Sequence, residues 1–192
     1  MGTELQGRKI AIIAADGVEQ VELVEPRDAV HAAGGTTELL SIDTGEIQAM
    51  NGDIDKADTF PVDKKVADAN VDDYAGLILP GGVANPDNLR VDEGVIAFLQ
   101  AFFETGRPVG VICHGPWTLV EANLVKGRTL TSFPSIRTDI ENAGGTWVDE
   151  EVVCDQGLVS SRNPDDLPAF TAKIVEEFAE GEHEVAEAGA TA

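Results

Sequence analysis

The chain has 192 residues, of which 35 are acidic and 13 are basic, so its formal net charge is −22. Hydrophobic residues make up 43% of it, which excludes a wholly disordered chain and is enough for the core of one compact domain. No apolar run reaches the roughly 18–20 residues that a membrane-spanning helix needs, and residues 1–7 lack the basic and apolar regions of a signal peptide. We therefore expect a cytoplasmic protein that does not bind membranes.

The acidity also bears on partners. Binding to nucleic acid needs clustered Lys and Arg, and here the cations are scattered apart from the pairs Arg8-Lys9 and Lys64-Lys65. We therefore expect no nucleic-acid partner. Two interpretations of the charge stay open: a host with a salty cytoplasm, where ions screen the repulsion, or an ordinary acidic cytosolic protein.

Apolar patterning predicts strands that alternate with helices along the chain. Strands are predicted at 8–15, 37–41, 74–79, 109–112, 129–132, 147–148, 152–154 and 158–160, with a small hairpin excursion within 45–62. Helices are predicted at 21–33, 94–104, 116–125, 135–143 and 166–180. This alternation is typical of an α/β fold with a mostly parallel sheet that helices cover on both faces. We expect one domain at 1–180 and an acidic, disordered tail at 181–192.

Three loops follow predicted strands and are the places to look for chemistry. They are residues 16–20, 80–88 and 113–116. In open parallel sheets the ligand sits at the carboxyl ends of the strands, which is the edge where these loops meet.

Cys113 lies between a short strand and a helix, the strand–turn–helix arrangement of a nucleophile elbow. The N-terminus of the following helix is expected to lower the pKa of the thiol. The backbone N–H of His114 is placed to stabilise an oxyanion, and its side chain is a candidate base. The alternative is that Cys113 is a small apolar residue at a strand end.

Four segments carry a resemblance to a known family. They are Ala-Asp-Gly-Val-Glu at 15–19, Leu-Pro-Gly-Gly at 79–82, Ile-Cys-His-Gly-Pro at 112–116 and Ser-Arg-Asn-Pro-Asp-Asp-Leu-Pro at 161–168. In this order they resemble the PfpI family of the class I glutamine amidotransferase-like superfamily, over about Lys9 to Glu180. The resemblance implies a flavodoxin-like three-layer sandwich with a mostly parallel central sheet.

The resemblance also implies roles for four side chains. Cys113 matches the nucleophile and His114 the histidine that follows it. Glu19 matches a carboxylic acid that contacts the cysteine sulfur and, when protonated, donates a hydrogen bond to the thiolate; a buried carboxyl in that place should have a raised pKa. A helix cap is the alternative role for Glu19. Asp87 matches an acid that reaches the histidine across a subunit interface.

Other residues have weaker signals. Gly81 and Gly82 are either backbone donors around the oxyanion or a plain turn, and Trp117 is either a pocket wall or a core aromatic. Cys154 is expected to be a buried apolar thiol. His183 lies in the predicted tail, and we expect no function for it.

The function that the resemblance implies is that of a stress-related, cysteine-dependent enzyme acting on reactive carbonyls. It would convert methylglyoxal to lactate without glutathione, or hydrolyse early glycation adducts. Two alternatives stay open: an intracellular cysteine peptidase that uses Cys113, His114 and Asp87, and a non-enzymatic redox or stress sensor oxidised at Cys113. The expected partners are a small carbonyl compound or a peptide, and further copies of the chain in a dimer or larger oligomer. No metal or organic cofactor is expected.

Overall fold

The computed structural model of the chain describes residues 2–183. Residues 184–192, which make up most of the predicted tail, lie outside the described residues. No helix within 2–183 combines the length and the apolar character that crossing a membrane requires.

The described chain contains twelve strands and six α-helices. The strands are β1 Lys9–Ile13, β2 Val18–Glu19, β3 Thr36–Ser41, β4 Gly45–Asn51, β5 Asp55–Val62, β6 Lys64–Lys65, β7 Gly76–Leu79, β8 Val109–Ile112, β9 Thr129–Leu130, β10 Thr146–Trp147, β11 Val153–Asp155 and β12 Leu158–Ser161. The helices are α1 Gln20–Ala32, α2 Ala84–Leu89, α3 Glu93–Glu104, α4 Pro116–Glu121, α5 Arg137–Asn142 and α6 Leu167–Glu180.

A seven-stranded sheet forms the centre of the molecule, in the order β11-β12-β8-β7-β1-β3-β6. Every neighbouring pair is parallel except β11 with β12, which is antiparallel. The chain runs from β1 to β3 on one side and later returns to β7 on the other side of β1. That reversal opens a crevice at the carboxyl ends of the central strands. The structure confirms the predicted α/β fold, a flavodoxin-like three-layer sandwich.

The two faces of the sheet bury separate hydrophobic layers, because alternate residues of a strand point to opposite faces. On β1, Ile10 and Ile12 join the layer under α6, where Phe170, Ile174 and Phe178 are also buried. The intervening residues of β1 join the opposite layer, which contains the buried aromatic face of α3. Helices therefore cover both faces, as the β-branched strands indicate.

Three short elements were not predicted: β2, β6 and α2. The first two have two residues each, which is too short for a periodic pattern. The six residues of α2 contain Asn85-Pro86, a combination that is typical of turns. The predicted hairpin at 45–62 is confirmed as β4 and β5, which pair with β2 in a separate three-stranded sheet.

Replacing Phe170 by alanine tests the layer under α6. The ring is fully buried against the sheet, so we expect Phe170→Ala to lower the free energy of unfolding by about 3–5 kcal/mol. Val91, which is 79% exposed, provides the control: Val91→Ala should change the free energy of unfolding by less than about 0.5 kcal/mol. Urea unfolding of both variants measures the difference. Equal losses in the two variants would contradict the layer assignment.

Candidate active site

Cys113 occupies the sharp turn between β8 and α4. Its backbone has φ of 62°, in the left-handed region that a residue other than glycine rarely adopts. Two hydrogen bonds hold it there: its N–H donates to the Ser161 carbonyl at 3.1 Å, and its carbonyl accepts from the Phe133 N–H at 2.8 Å. The strained turn places the sulfur at the carboxyl end of the central sheet, and only 6% of the residue is exposed.

The carboxyl group beside this sulfur belongs to Glu22, which is fully buried. Oε2 of Glu22 accepts a hydrogen bond from the Gly81 N–H at 2.8 Å. Oε1 has no hydrogen-bond partner among the described residues, and the carboxyl lies beside the Cys113 thiol, close enough for each group to shift the pKa of the other. Glu22 and Cys113 therefore form a buried pair.

The structure does not bring Glu19 to the sulfur, contrary to the prediction. Its carboxylate accepts from the Gly52 N–H at 3.1 Å and from the Asp53 N–H at 3.2 Å, at the tip of the β4–β5 hairpin. Its side chain makes no capping hydrogen bond to α1 either. The reason is its position: Glu19 precedes the helix, whereas Glu22 lies in the first turn on the face that packs inward.

Burial controls the titration of the pair. Loss of hydration raises the pKa of Glu22 from 4.5 to about 8, although the Gly81 N–H opposes the shift. Burial also raises the pKa of the Cys113 thiol, and a charge on Glu22 raises it further. The expected lowering by the helix N-terminus is therefore not what dominates here. Two acids this close titrate as one system, and at neutral pH the carboxyl holds its proton.

Backbone N–H groups converge on the same place. Those of Gly82 and His114 lie beside the Cys113 sulfur and act to lower the pKa of its thiol. The N–H of Gly81 is taken by Glu22, so Gly81 serves the carboxyl rather than an oxyanion. A Cβ on Gly81 would lie 2.6 Å from both the Cys113 Cβ and Glu22 Oε2, which explains why this position needs glycine.

His114 contacts Cys113 directly. Its Nδ1 lies 3.2 Å from the Cys113 sulfur, and its Nε2 lies 3.0 Å from Oγ of Ser135. Burial lowers the pKa of the imidazole, so the ring is neutral at pH 7. When Nε2 carries the proton and donates it to Ser135, Nδ1 is free to accept the thiol proton. The Phe133 ring stacks on the imidazole at 4.6 Å.

Trp117 and Asp87 lie farther out. The Trp117 ring is 5.8 Å from the imidazole, and its Nε1 donates to Asp139 at 3.0 Å. The Trp117 ring is partly buried against the core, so it belongs to the core and also borders the site.

Asp87 is exposed on α2. Within the described chain the imidazole of His114 pairs with Ser135 and not with Asp87. An acid supplied by a second subunit therefore stays a prediction.

Asn85 ties two of the three loops together. Its Oδ1 accepts from the Ala15 N–H at 2.7 Å, and its Nδ2 donates to the carbonyls of Pro80 and Gly81 at 2.9 and 3.0 Å. The side chain is fully buried, so these bonds satisfy groups that would otherwise be costly to bury. This bridge fixes the glycine turn that presents its N–H groups to Glu22 and Cys113.

Sequence reasoning missed Glu22, Ser135 and Asn85. The sequence contains a signal for Glu22. Glu22, Pro26 and Val30 follow one another at intervals of four residues, and all three are buried on one face of α1. A carboxylate on a buried face is unusual and points to function. Ser135 carries no such signal, because it lies in a short 3-10 turn, Pro134–Ile136, 21 residues along the chain from its partner.

Residues 8–177 match the DJ-1/PfpI family. The chain belongs to the DJ-1/PfpI family. A deglycase from Thermococcus kodakarensis is 40% identical over 167 residues, which are 87% of this chain and 97% of that protein. YraA of Bacillus subtilis, whose name provisionally assigns it as a cysteine protease, is 38% identical over 164 residues, which are 85% of this chain and 94% of YraA.

A solved structure of the same family has the same fold. The crystal structure of Drosophila melanogaster DJ-1beta superposes with a TM-score of 0.81 and 26% sequence identity. The superposition covers 90% of each chain. The names of the relatives support an enzyme of the DJ-1/PfpI family.

The raised pKa of Glu22 predicts how stability responds to pH. The unfolded chain ionises this carboxyl near its ordinary pKa of 4.5, whereas the folded chain keeps the proton up to about pH 8. The stability that Glu22 contributes is therefore fully present below pH 4.5 and is lost as the pH rises to about 8. We expect Glu22→Gln to gain stability relative to wild type across this interval, measured by urea unfolding.

The matched control is Glu25→Gln, on the exposed face of the same helix. It removes one carboxyl from a chain of net charge −22 without touching the pair. For each variant, the free energy of unfolding is compared with that of wild type at each pH. If this difference varies with pH in the same way for Glu22→Gln and Glu25→Gln, the buried carboxyl of Glu22 is not protonated as described.

Proposed function

We propose that the protein is a cysteine-dependent enzyme that acts on small reactive carbonyl compounds, as a glutathione-independent glyoxalase or a deglycase. The observation that carries the proposal is the buried pair of a protonated Glu22 carboxyl and the Cys113 thiol. A general acid and a nucleophile that share one desolvated site suit addition to an aldehyde, because the new alkoxide needs a proton at once. The name of the Thermococcus kodakarensis relative supports the deglycase form.

The first step on methylglyoxal is addition to the aldehyde carbon. His114 Nδ1, 3.2 Å from the sulfur, takes the thiol proton. The thiolate forms the C–S bond while the carbonyl π bond breaks, and Glu22 donates its proton to the oxygen. The product is a hemithioacetal on Cys113, with Glu22 ionised and His114 protonated.

The second step moves a hydrogen between the two carbons. Glu22, now a carboxylate, removes the proton from the former aldehyde carbon, and His114 protonates the ketone oxygen to give an enediol. Glu22 returns its proton to the second carbon while His114 takes the hydroxyl proton from the first carbon, which regains its carbonyl, and a lactoyl thioester forms. Water hydrolyses it to lactate and regenerates the thiol, so the overall reaction adds one water to methylglyoxal.

Burial of the nucleophile favours this substrate class over peptides. Cys113 and His114 are each only 6% exposed, so a compound of a few atoms reaches the sulfur more easily than an extended chain. A peptidase would also need an acid to orient His114, and in this chain Ser135 occupies the Nε2 side of the imidazole. Peptide hydrolysis with Asp87 from a second subunit is therefore the less favoured proposal.

Methylglyoxal loss and lactate formation, both followed without glutathione, test the proposal. We expect turnover by wild type and none by Cys113→Ala. Glu22→Gln should lower kcat by about 10²–10⁴-fold, the usual contribution of a general acid. Glu19→Gln is the matched control, because it removes a carboxyl three residues earlier in the chain that does not reach the sulfur; we expect a loss below about tenfold.

Two results would contradict the proposal. One is no turnover by folded, reduced wild-type protein on methylglyoxal or on glycated amino acids. The other is equal loss in Glu19→Gln and Glu22→Gln. Hydrolysis of fluorogenic peptides that needs both Cys113 and Asp87 would favour the peptidase. Oxidation of Cys113 with no turnover at all would favour the sensor.

Ser135 is expected to position His114. Ser135→Ala removes the acceptor that fixes the imidazole tautomer, so we expect kcat to fall roughly tenfold while KM changes less than about twofold. Ser135→Thr keeps the hydroxyl and should restore most of the activity. A loss in Ser135→Ala that Ser135→Thr shares, or one seen only in KM, would show a structural role instead.

A further inference from the structure

A second cluster of metal-ligating side chains lies at the end of α6. Glu177, Glu180 and His183 each offer one possible ligand atom, and these atoms all lie within 4.8 Å of one another. No residue of the Cys113 site belongs to this cluster. We propose that it is a binding site for a divalent transition metal, with zinc as the ion that fits it best.

The backbone brings the three donors together. Glu177 and Glu180 are three residues apart in the last turn of α6, so they share a face of the helix. Gly181 then takes φ of 96°, and the chain turns back. The His183 N–H donates to the Gly106 carbonyl at 2.8 Å, which fixes His183 instead of leaving it in the predicted tail.

The β11–β12 hairpin leaves room for the imidazole. A Cβ on Gly157 would lie 2.6 Å from Cδ2 of His183 and 3.2 Å from its Nε2. The ring therefore rests directly on the backbone of the hairpin turn, in a place that a side chain at Gly157 would fill. The position of Nε2 follows from this packing.

Two buried polar atoms face each other in the cluster. Oε2 of Glu177 and Nε2 of His183 are 3.0 Å apart, an ion-pair distance if the imidazole is protonated, but neither atom makes a hydrogen bond of acceptable geometry among residues 2–183. The Cys154 thiol also lies beside the Glu177 carboxylate. The Glu177 side chain is only 4% exposed, and its other oxygen is held by Lys173 Nζ at 2.7 Å. Oε2 of Glu177 and Nε2 of His183 are therefore the two atoms of the cluster without a hydrogen bond. Leaving buried polar atoms unsatisfied in this way is costly.

A zinc ion would satisfy both atoms. Bond lengths of about 2.0–2.2 Å to nitrogen and oxygen in a tetrahedral site put donors about 3.4 Å apart. Glu177 and His183 are already near that spacing, and Glu180 is exposed and can adjust. Imidazole with carboxylates is a donor set that suits zinc better than calcium or magnesium. The competing explanation is an ion pair between Glu177 and a protonated His183, which would leave no place for a metal.

Zinc titration of the full-length protein, stripped with a chelator, tests the site. Calorimetry in high KCl with excess Mg²⁺ suppresses weak binding to the acidic surface. We expect one zinc per chain with sub-micromolar Kd and a rise in Tm on saturation. His183→Ala and Glu180→Gln should each weaken binding at least tenfold, with folding checked by circular dichroism.

Two matched controls locate the ion. His31→Ala removes an exposed histidine on α1, and Cys113→Ala removes the thiol of the candidate active site; both should bind zinc as wild type does. The proposal is overturned if wild type binds no zinc, or if His183→Ala binds like His31→Ala. It is also overturned if Cys113→Ala loses the site, because the ion would then occupy the catalytic pocket.

Discussion

The candidate site depends on the desolvation of one carboxyl group, that of Glu22. Glu22 is fully buried at the carboxyl end of the central sheet, where water cannot stabilise its charge, so the pKa rises to about 8. The surrounding backbone is arranged for this group: the Gly81 N–H supports one oxygen, and the strained turn at Cys113 brings the thiol to the carboxyl. The reaction that we propose at this sulfur would proceed beside an acid that still holds its proton at neutral pH.

The sheet topology makes that arrangement possible. Three loops from different strands have to meet within a few ångströms, and the reversal of strand order at β1 opens the place where they do. Asn85 then joins the loop after β1 to the loop after β7 through three hydrogen bonds. The site is therefore held by secondary structure and one buried amide, which suits a pocket that must keep two acids in contact.

The sequence predicted the frame of the site well. The sequence predicts the strand at 109–112 with the bounds that the structure shows. A short apolar run that ends just before Cys113 and Pro116 is hard to interpret as anything but a strand followed by a turn and a helix. The sequence predicts most other strands and helices to within a few residues of their observed bounds. The reason is the same: the apolar periodicity that marks an element is a property of neighbouring residues in the chain.

The sequence was less informative about side-chain partners. Glu19 and Glu22 are both acidic and both stand near the start of α1, and only the exact phase of the helix separates them. Cys154, expected to be buried, is exposed on the outermost strand of the sheet. His183 was assigned to a tail because its fixing contact, with Gly106, lies 77 residues away along the chain. Such contacts depend on packing between distant segments, which a local pattern does not record.

The close packing around Gly81 has a consequence for the evolutionary history of such chains. A methyl group there would occupy the space that the Cys113 Cβ and the Glu22 carboxylate fill. A descendant with alanine at this position would have to separate the thiol from its acid. A descendant that lost the acid would still need the glycine, because the new Cβ would also lie 2.6 Å from the Cys113 Cβ and 2.9 Å from the Ile112 carbonyl oxygen. The dependence therefore runs one way: lineages that keep the Cys113–Glu22 pair should keep Gly81, whereas loss of Glu22 alone should not release position 81 from glycine.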